Sequence, residues 1–354
     1  MKNNKLRIIF FGTPEFVVPV LEKLNENFEV VGVVTAPDKL VGRKQILTPS
    51  PVKTFIKTVM LNSFQHLDKI PKQVRDDILI LTPEKLDADF ISELQTLNPE
   101  LFIVASYGKI IPQSVLDIPK FGSLNIHPSL LPKYRGPSPI QTAILNGDKI
   151  SGVTILVVDN KMDHGGIIAT EEISLSNTDT FDSLSKKMFL IGAELLVKNI
   201  PDFARPERSR RVSGKIKPQE QDHEKATFTK MFTKEDGYFD INTPNSELPT
   251  PNKLDRMIRA YYPWPTVWTK WNPSTSSGQA KIVKFLPSTV IPAKAGIQDS
   301  GSLVPSASLR AGKPGMTETE NQNDKFLIQM EGKKAVKLAD FLNGHPNFPI
   351  KYLK

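Results

Sequence analysis

Apolar and polar positions alternate along this chain in two clear textures. Over the first two hundred residues, short apolar runs are separated by stretches with helical spacing. Leu6–Phe11 is an apolar run that ends at Gly12 and is followed by Thr13, Pro14 and Glu15, after which apolar residues recur at Phe16, Val20, Leu21 and Leu24. That order predicts a strand, a tight turn and a helix, with Thr13 as N-cap and Pro14 at the first helical position. Further strands are expected at Phe28–Thr35, Leu101–Ser106, Leu124–His127 and Val153–Val158. Helices are expected at Ala88–Leu97, from Pro139 to Asn146, and over Phe181–Asn199. Strands alternating with helices imply a Rossmann-like α/β unit with a doubly wound, mostly parallel sheet.

The texture changes after Ile200. Residues 205–217 carry Arg205, Arg208, Arg210, Arg211, Lys215 and Lys217 against Glu207 alone. Beyond them come short strand-like pieces at Gly237–Ile241, Thr266–Trp271, Lys281–Phe285 and Phe326–Met330, with one helix at Lys253–Ala260. This pattern predicts a smaller, OB-like β-barrel domain. The expected organisation is a catalytic domain at 1–204, a basic linker at 205–225 and a C-terminal domain at 226–354. Four stretches read as insertions: Met60–Asp77, Arg205–Lys217, Pro273–Ala280 and Pro287–Asp324. The last is rich in Ser, Pro, Ala and Gly without periodicity, and is expected to be largely disordered across 287–324.

Charge sharpens the division. Residues 1–204 hold 22 Lys and Arg against 23 Asp and Glu, whereas residues 205–354 hold 24 against 15, so the whole excess of +8 lies in the second half. Such an asymmetry points to a polyanionic partner, nucleic acid first. The chain has no cysteine, which excludes disulfides, thiolate metal sites and a cysteine nucleophile. No apolar stretch approaches the ~20 residues of a membrane helix, and the N-terminus lacks the features of a signal peptide. A cytoplasmic protein without membrane association, acting as a monomer, is the simplest expectation.

The candidate chemistry concentrates at the end of one strand. Asn125 and His127 stand two apart, so they share a strand face, and both are unusual in an apolar strand. Doubly wound sheets place their sites beyond the carboxyl ends of the strands. The turn Met162-Asp163-His164-Gly165-Gly166 follows the next strand and can deliver the Asp163 carboxylate to His127. An amide N–H and a charged imidazole would stabilise a developing oxyanion, while Asp163 would help move a proton off an attacking amine. The loop Pro37–Pro51 carries Lys39, Arg43 and Lys44 around Gly42 and could grip a phosphate backbone. Gly12-Thr13-Pro14 could hold an anion, but the G-x-G-x-x-G dinucleotide fingerprint is absent. His66, His164, His223 and His345 read as bystanders, and no spacing suggests a metal site.

Taken together, FFGTPEF, PDKLVGRKQILTPSPVK, NPELFIVASYGKIIP, LNIHPSLLPKYRGPSPIQ and MDHGG resemble the methionyl-tRNA formyltransferases, within the wider 10-formyltetrahydrofolate-dependent formyltransferase family. IRAYYPWP, from Ile258, resembles the family's tRNA-binding domain, and GKKAVKLADFLNG at 332–344 its final segment. The resemblance implies transfer of a formyl group from 10-formyltetrahydrofolate to initiator methionyl-tRNA, with no metal. It implies Asn125, His127 and Asp163 as the catalytic trio, and Ser129, Leu130, Leu131 and Pro132 along the folate. Arg43, flanked by Lys39 and Lys44, would seat the tRNA, and Phe16 would face the methionyl side chain. The stretch Pro287–Asp324 stands where the resemblance implies further barrel strands. Two other readings are a related formyltransferase acting on a small amine, and a tRNA-binding protein that has lost catalysis.

Overall fold

The computed structural model describes residues 5–42, 44–62, 78–204, 216–244, 247–272, 280–288 and 326–349. The expected insertions near 60–77, 205–217, 273–280 and 287–324 fall largely outside them, as does Arg43. The chain divides into two units, residues 1–231 and 232–354.

The first unit is built on a seven-stranded sheet. In chain order its elements are β1 (Arg7–Gly12), α1 (Val18–Asn27), β2 (Glu29–Val34), the short strands β3 (Lys39–Val41) and β4 (Ile46–Thr48), α2 (Pro51–Asn62), β5 (Leu79–Leu81), α3 (Ala88–Thr96), β6 (Leu101–Ala105), α4 (Gln113–Leu116), β7 (Ser123–His127), α5 (Pro139–Asn146), β8 (Ile150–Val157), β9 (Ile167–Ser174) and α6 (Phe181–Phe203). The strand order is β5-β2-β1-β6-β7-β8-β9. Every pairing from β5 to β7 is parallel, and β8 and β9 close the edge antiparallel. The central strands are buried on both faces, which is why they read as unbroken apolar runs.

Two local details differ from expectation at the first turn. The α-helix begins at Val18, after a 3-10 turn over Glu15–Val17, with Pro19 in its first turn. Thr13 does not cap it; its hydroxyl donates to the Tyr107 carbonyl at 3.1 Å. The fixed φ of Pro19 suits the first turn of a helix, so the helix starts there and the turn before it tightens.

Helix α6 supports the strand that carries the candidate chemistry. Thr180 and Ser183 form a reciprocal cap at its start. Gly192 sits where an added Cβ would lie 2.7 Å from Ile126 Cγ2 and 3.1 Å from Val153 Cγ1. The helix therefore presses directly on β7 and β8. Ile126 faces it, and alternation turns Asn125 and His127 to the other side of the sheet.

Residues 216–231 belong to the first unit. Gln219 and Ile167 exchange backbone hydrogen bonds of 2.7 and 2.8 Å, and Arg135 pairs with Thr227 and Thr229 at 2.8 Å each. Residues up to 231 thus group with the first unit, including the described part of the expected linker and the first residues of the region expected at 226–354. The described part of the expected 205–225 linker is a strap across the sheet end.

The second unit is an antiparallel sheet of β10 (Val267–Trp271), β11 (Lys281–Pro287), β12 (Phe326–Met330) and β13 (Val336–Lys337), in that order, with α7 (Pro251–Tyr261) and α8 (Leu338–Gly344). The segment expected as a strand at Gly237–Ile241 contributes one parallel bridge, Tyr238 to Trp268, beside β10. Phe239, Phe285, Phe326, Trp271, Phe341 and Phe348 form its aromatic core. Pro287 pairs with Phe326, so β11 and β12 are direct neighbours on either side of 288–325.

Candidate active site

Asn125 and His127 close β7, and Asp163 comes from the turn between β8 and β9, as the sequence spacing implied. Asn125 Nδ2 lies 3.4 Å from Asp163 Oδ1, and His127 Nδ1 lies 3.5 Å from the same oxygen. The other carboxylate oxygen, Oδ2, accepts the backbone N–H of Gly136 at 2.8 Å. The three side chains therefore meet around one carboxylate oxygen.

His127 is only 4% exposed. Its Nε2 lies 2.9 Å from the Tyr134 carbonyl, which can only accept, so Nε2 carries a proton. The two ring nitrogens face two oxygens, the Tyr134 carbonyl and Asp163 Oδ1. The Nδ1 contact is too long for a strong hydrogen bond, which leaves that nitrogen the less committed of the two. Asn125 is half-buried, and among the described residues the only hydrogen bond of its side chain is the long one to Asp163, which leaves one N–H of its amide to donate elsewhere.

The segment after β7 is a tight strap. Tyr134 and Gly136 both have positive φ, 64° and 109°, and a Cβ on Gly136 would meet Thr229 Oγ1 at 2.8 Å. Glycine is required here by both conformation and space, and the result is the amide that holds Asp163. Ser129 is fully buried, and its hydroxyl donates to the Lys133 carbonyl at 2.6 Å. The Thr154 hydroxyl donates to the Ser129 carbonyl at 2.7 Å and accepts from Leu131 N at 3.2 Å. Leu131 is buried, while Leu130 and Pro132 are half-buried. Ser129 and Leu131 thus shape the turn, and Leu130 and Pro132 keep part of their surface open.

Lys39 and Lys44 lie on a two-stranded hairpin of β3 and β4. Its apolar residues Leu40, Val41, Ile46 and Leu47 are all more than half exposed. Phe16 packs its ring against Phe181 and Phe189 of α6, with centroids 5.9 and 5.0 Å apart. No hydrogen bond or ring contact among the described residues joins it to the Asn125 cluster. Instead, the loop after β6, the strand beside β7, presents Ile110 at 84% exposure. An isoleucine so exposed is a feature the sequence reading did not single out; the signal was an apolar pair, Ile110-Ile111, in the loop that follows β6.

Nor did sequence reasoning find the layer behind Asp163. Gln221 Nε2 donates to the carbonyls of Asp163 and Gly165 at 2.9 and 2.7 Å. Gln221 Oε1 accepts from Arg135 Nε and Nη2 at 3.1 and 2.7 Å. Arg135 Nη2 also lies 2.7 Å from His223 Nδ1, and His223 stacks on His164 at 4.1 Å. Two histidines read as bystanders therefore belong to the support of the site. Among the described residues there is no group of three or more side chains with metal-binding arrangement, and no helix long and apolar enough to cross a membrane.

Residues 6–200 match the sequence model of the formyl transferase family, and residues 233–346 match that of its C-terminal domain. The methionyl-tRNA formyltransferase of Roseiflexus sp. (strain RS-1) is 37% identical over 342 residues, covering 96% of this chain and 92% of the relative. That of Chloroflexus aurantiacus (strain ATCC 29366 / DSM 635 / J-10-fl) is 42% identical over 268 residues, 75% of this chain and 76% of the relative. Among solved structures, a 4-N formyltransferase from Francisella tularensis shares the fold with a TM-score of 0.52 at 18% identity, over 78% of this chain and 95% of that one.

Proposed function

This chain belongs to the formyl transferase family, and from that premise we propose that it transfers the formyl group of 10-formyltetrahydrofolate to the free α-amine of initiator methionyl-tRNA. The observation that carries the reading is the convergence of Asn125, His127 and Asp163 on one oxygen at 3.4–3.5 Å. The donor set suits a formyl carbonyl: one amide with a free N–H beside a carboxylate. The folate supplies, when bound, an activated formyl group at N10. Half-buried Leu130 and Pro132, with exposed Ile110 on the neighbouring loop, offer it apolar surface, and Ser129 and Leu131 act through the turn they shape.

Asn125 donates to the formyl oxygen as negative charge grows there. Such a donor is worth ~10²–10³ in turnover. Asp163 accepts the proton of the attacking amine on Oδ1, the oxygen Gly136 leaves free, and as the tetrahedral intermediate collapses the formyl C–N10 bond breaks and that proton passes to N10, so that tetrahydrofolate leaves as the neutral amine. His127 is anchored by Tyr134 through Nε2, so its second donor reaches the oxyanion from Nδ1 by leaving the 3.5 Å contact with Asp163. Loose contacts of this kind tighten when substrate binds. No covalent enzyme intermediate is required. Lys39 and Lys44, with Arg43 between them, would meet phosphates of the acceptor stem, and the exposed apolar residues of the same hairpin would lie against its terminal bases. The basic second half, with Trp264 exposed in IRAYYPWP, supports tRNA as the partner. Phe16 is half-buried against α6, and its remaining surface would meet the methionyl side chain.

The test is formyl transfer to initiator methionyl-tRNA, elongator methionyl-tRNA and a small amine acceptor side by side. Preference for the initiator is expected. Preference for the small amine would overturn the substrate, and tRNA binding without transfer would overturn the activity.

A further inference from the structure

Asp163 is held in a conformation that needs holding. Its φ is +49°, in the left-handed region that non-glycine residues rarely adopt. The neighbouring Gly165 sits where a Cβ would lie 1.9 Å from the Val157 carbonyl oxygen, so the turn has no slack against β8. Two contacts fix Asp163 itself: Gly136 N on the carboxylate, and Gln221 on the backbone carbonyl.

Gln221 is 4% exposed and every hydrogen-bonding position of its amide toward this network is used. Nε2 meets two carbonyls, which only accept, and Oε1 meets two guanidinium N–H groups, which only donate. The amide can therefore sit one way round only. Arg135, equally buried, is the residue next to Gly136. Gln221 thus ties the turn bearing the catalytic carboxylate to the segment bearing the amide that holds it. Among the described residues no hydrogen bond joins Gln221 to Asn125 or His127; it reaches the cluster only through Asp163 and Arg135.

We infer that Gln221 is a positioning residue for Asp163: it locks the left-handed turn and sets the carboxylate against Asn125 and His127. The inference rests on the function proposed above. In the full-length chain, Gln221→Met keeps the volume but removes the donor to both carbonyls and leaves Arg135 with His223 alone on that side. Gln221→Glu keeps the acceptor for Arg135 while setting a carboxylate oxygen against the two carbonyls. Both variants are expected to lower kcat by about 10²-fold, the scale of a displacement near 1 Å at a reacting group, with KM for methionyl-tRNA unchanged. Amide hydrogen exchange over residues 162–166 should accelerate in both, while α6 keeps its protection. Wild-type kcat per folded molecule, or unchanged exchange in that turn, would overturn the inference. If the wild-type chain transfers no formyl group, the proposed function fails instead, and the exchange measurement still decides whether Gln221 holds the turn.

Discussion

Tyr107 places a phenol in the core with its ring edge against Phe11 and, among the described residues, no hydrogen-bond partner for its hydroxyl. Burial pushes its pKa from 10.0 to about 12. The folded state thus favours the neutral phenol, so this contribution to stability is present below pH 10 and is lost as pH rises toward 12. Tyr107→Phe removes an unsatisfied hydroxyl and should stabilise the chain by about 1 kcal/mol at neutral pH. It should also flatten the alkaline fall in Tm between pH 10 and 12 relative to wild type; denaturant titrations and thermal melts across that range check both. A destabilised variant with the same alkaline slope would contradict the burial argument. Residues of this kind were illegible in the sequence, where Tyr107 is one more aromatic after a strand. Asn125 and His127 were legible because a polar pair two apart breaks an apolar strand. Gln221 was not, because its partners lie 56, 58 and 86 residues away and no local pattern brings them together.

Helix α6 and strand β7 meet at Gly192, and here two effects of opposite sign compete. Replacing a helical glycine by alanine gains about 1 kcal/mol of helix propensity. The new methyl would stand 2.7 Å from Ile126 Cγ2, on a side chain that is 1% exposed and has nowhere to move. Overpacking costs about 1–3 kcal/mol, so the clash wins. Gly192→Ala should lower stability by roughly 1 kcal/mol on this balance, and a stabilised variant would show that α6 stands off the sheet. The same element scale explains what patterning found. Buried β1, β2, β6 and β7 stand out as apolar runs, and the long α6 as a helical period. Edge strand β9, IIATEEIS, is largely exposed and reads as mixed polar sequence. The β3–β4 hairpin hides because its apolar residues lie outward, on a surface that patterning assumes to be polar. Its one local cue is Gly42, which takes the positive φ of 73° at the turn.

At the scale of the whole molecule, the basic excess and the two textures announced two units, and residues 216–231 group with the first because they hydrogen-bond across its sheet. A strap of that kind has no hydrophobic period of its own. The stretch 288–325 bears on the second unit in an unexpected way: Pro287 and Phe326 are paired, so the sheet continues directly across it. Replacing 288–325 by an Asn-Gly turn should preserve the β11–β12 register. Shortening the connection should stabilise the unit by about 2 kcal/mol through the lower closure entropy, with formyl transfer retained. Loss of folding would mean that residues of this stretch complete the second core. The account as a whole turns on the cluster at the end of β7. Its most direct test is the single-turnover rate of formyl transfer to initiator methionyl-tRNA by Asn125→Ala, with tRNA affinity measured on the same preparation. The expected result is a rate ~10²–10³ lower with tRNA affinity unchanged; a wild-type rate would contradict the assignment of Asn125 to the reacting oxygen, and with it the site.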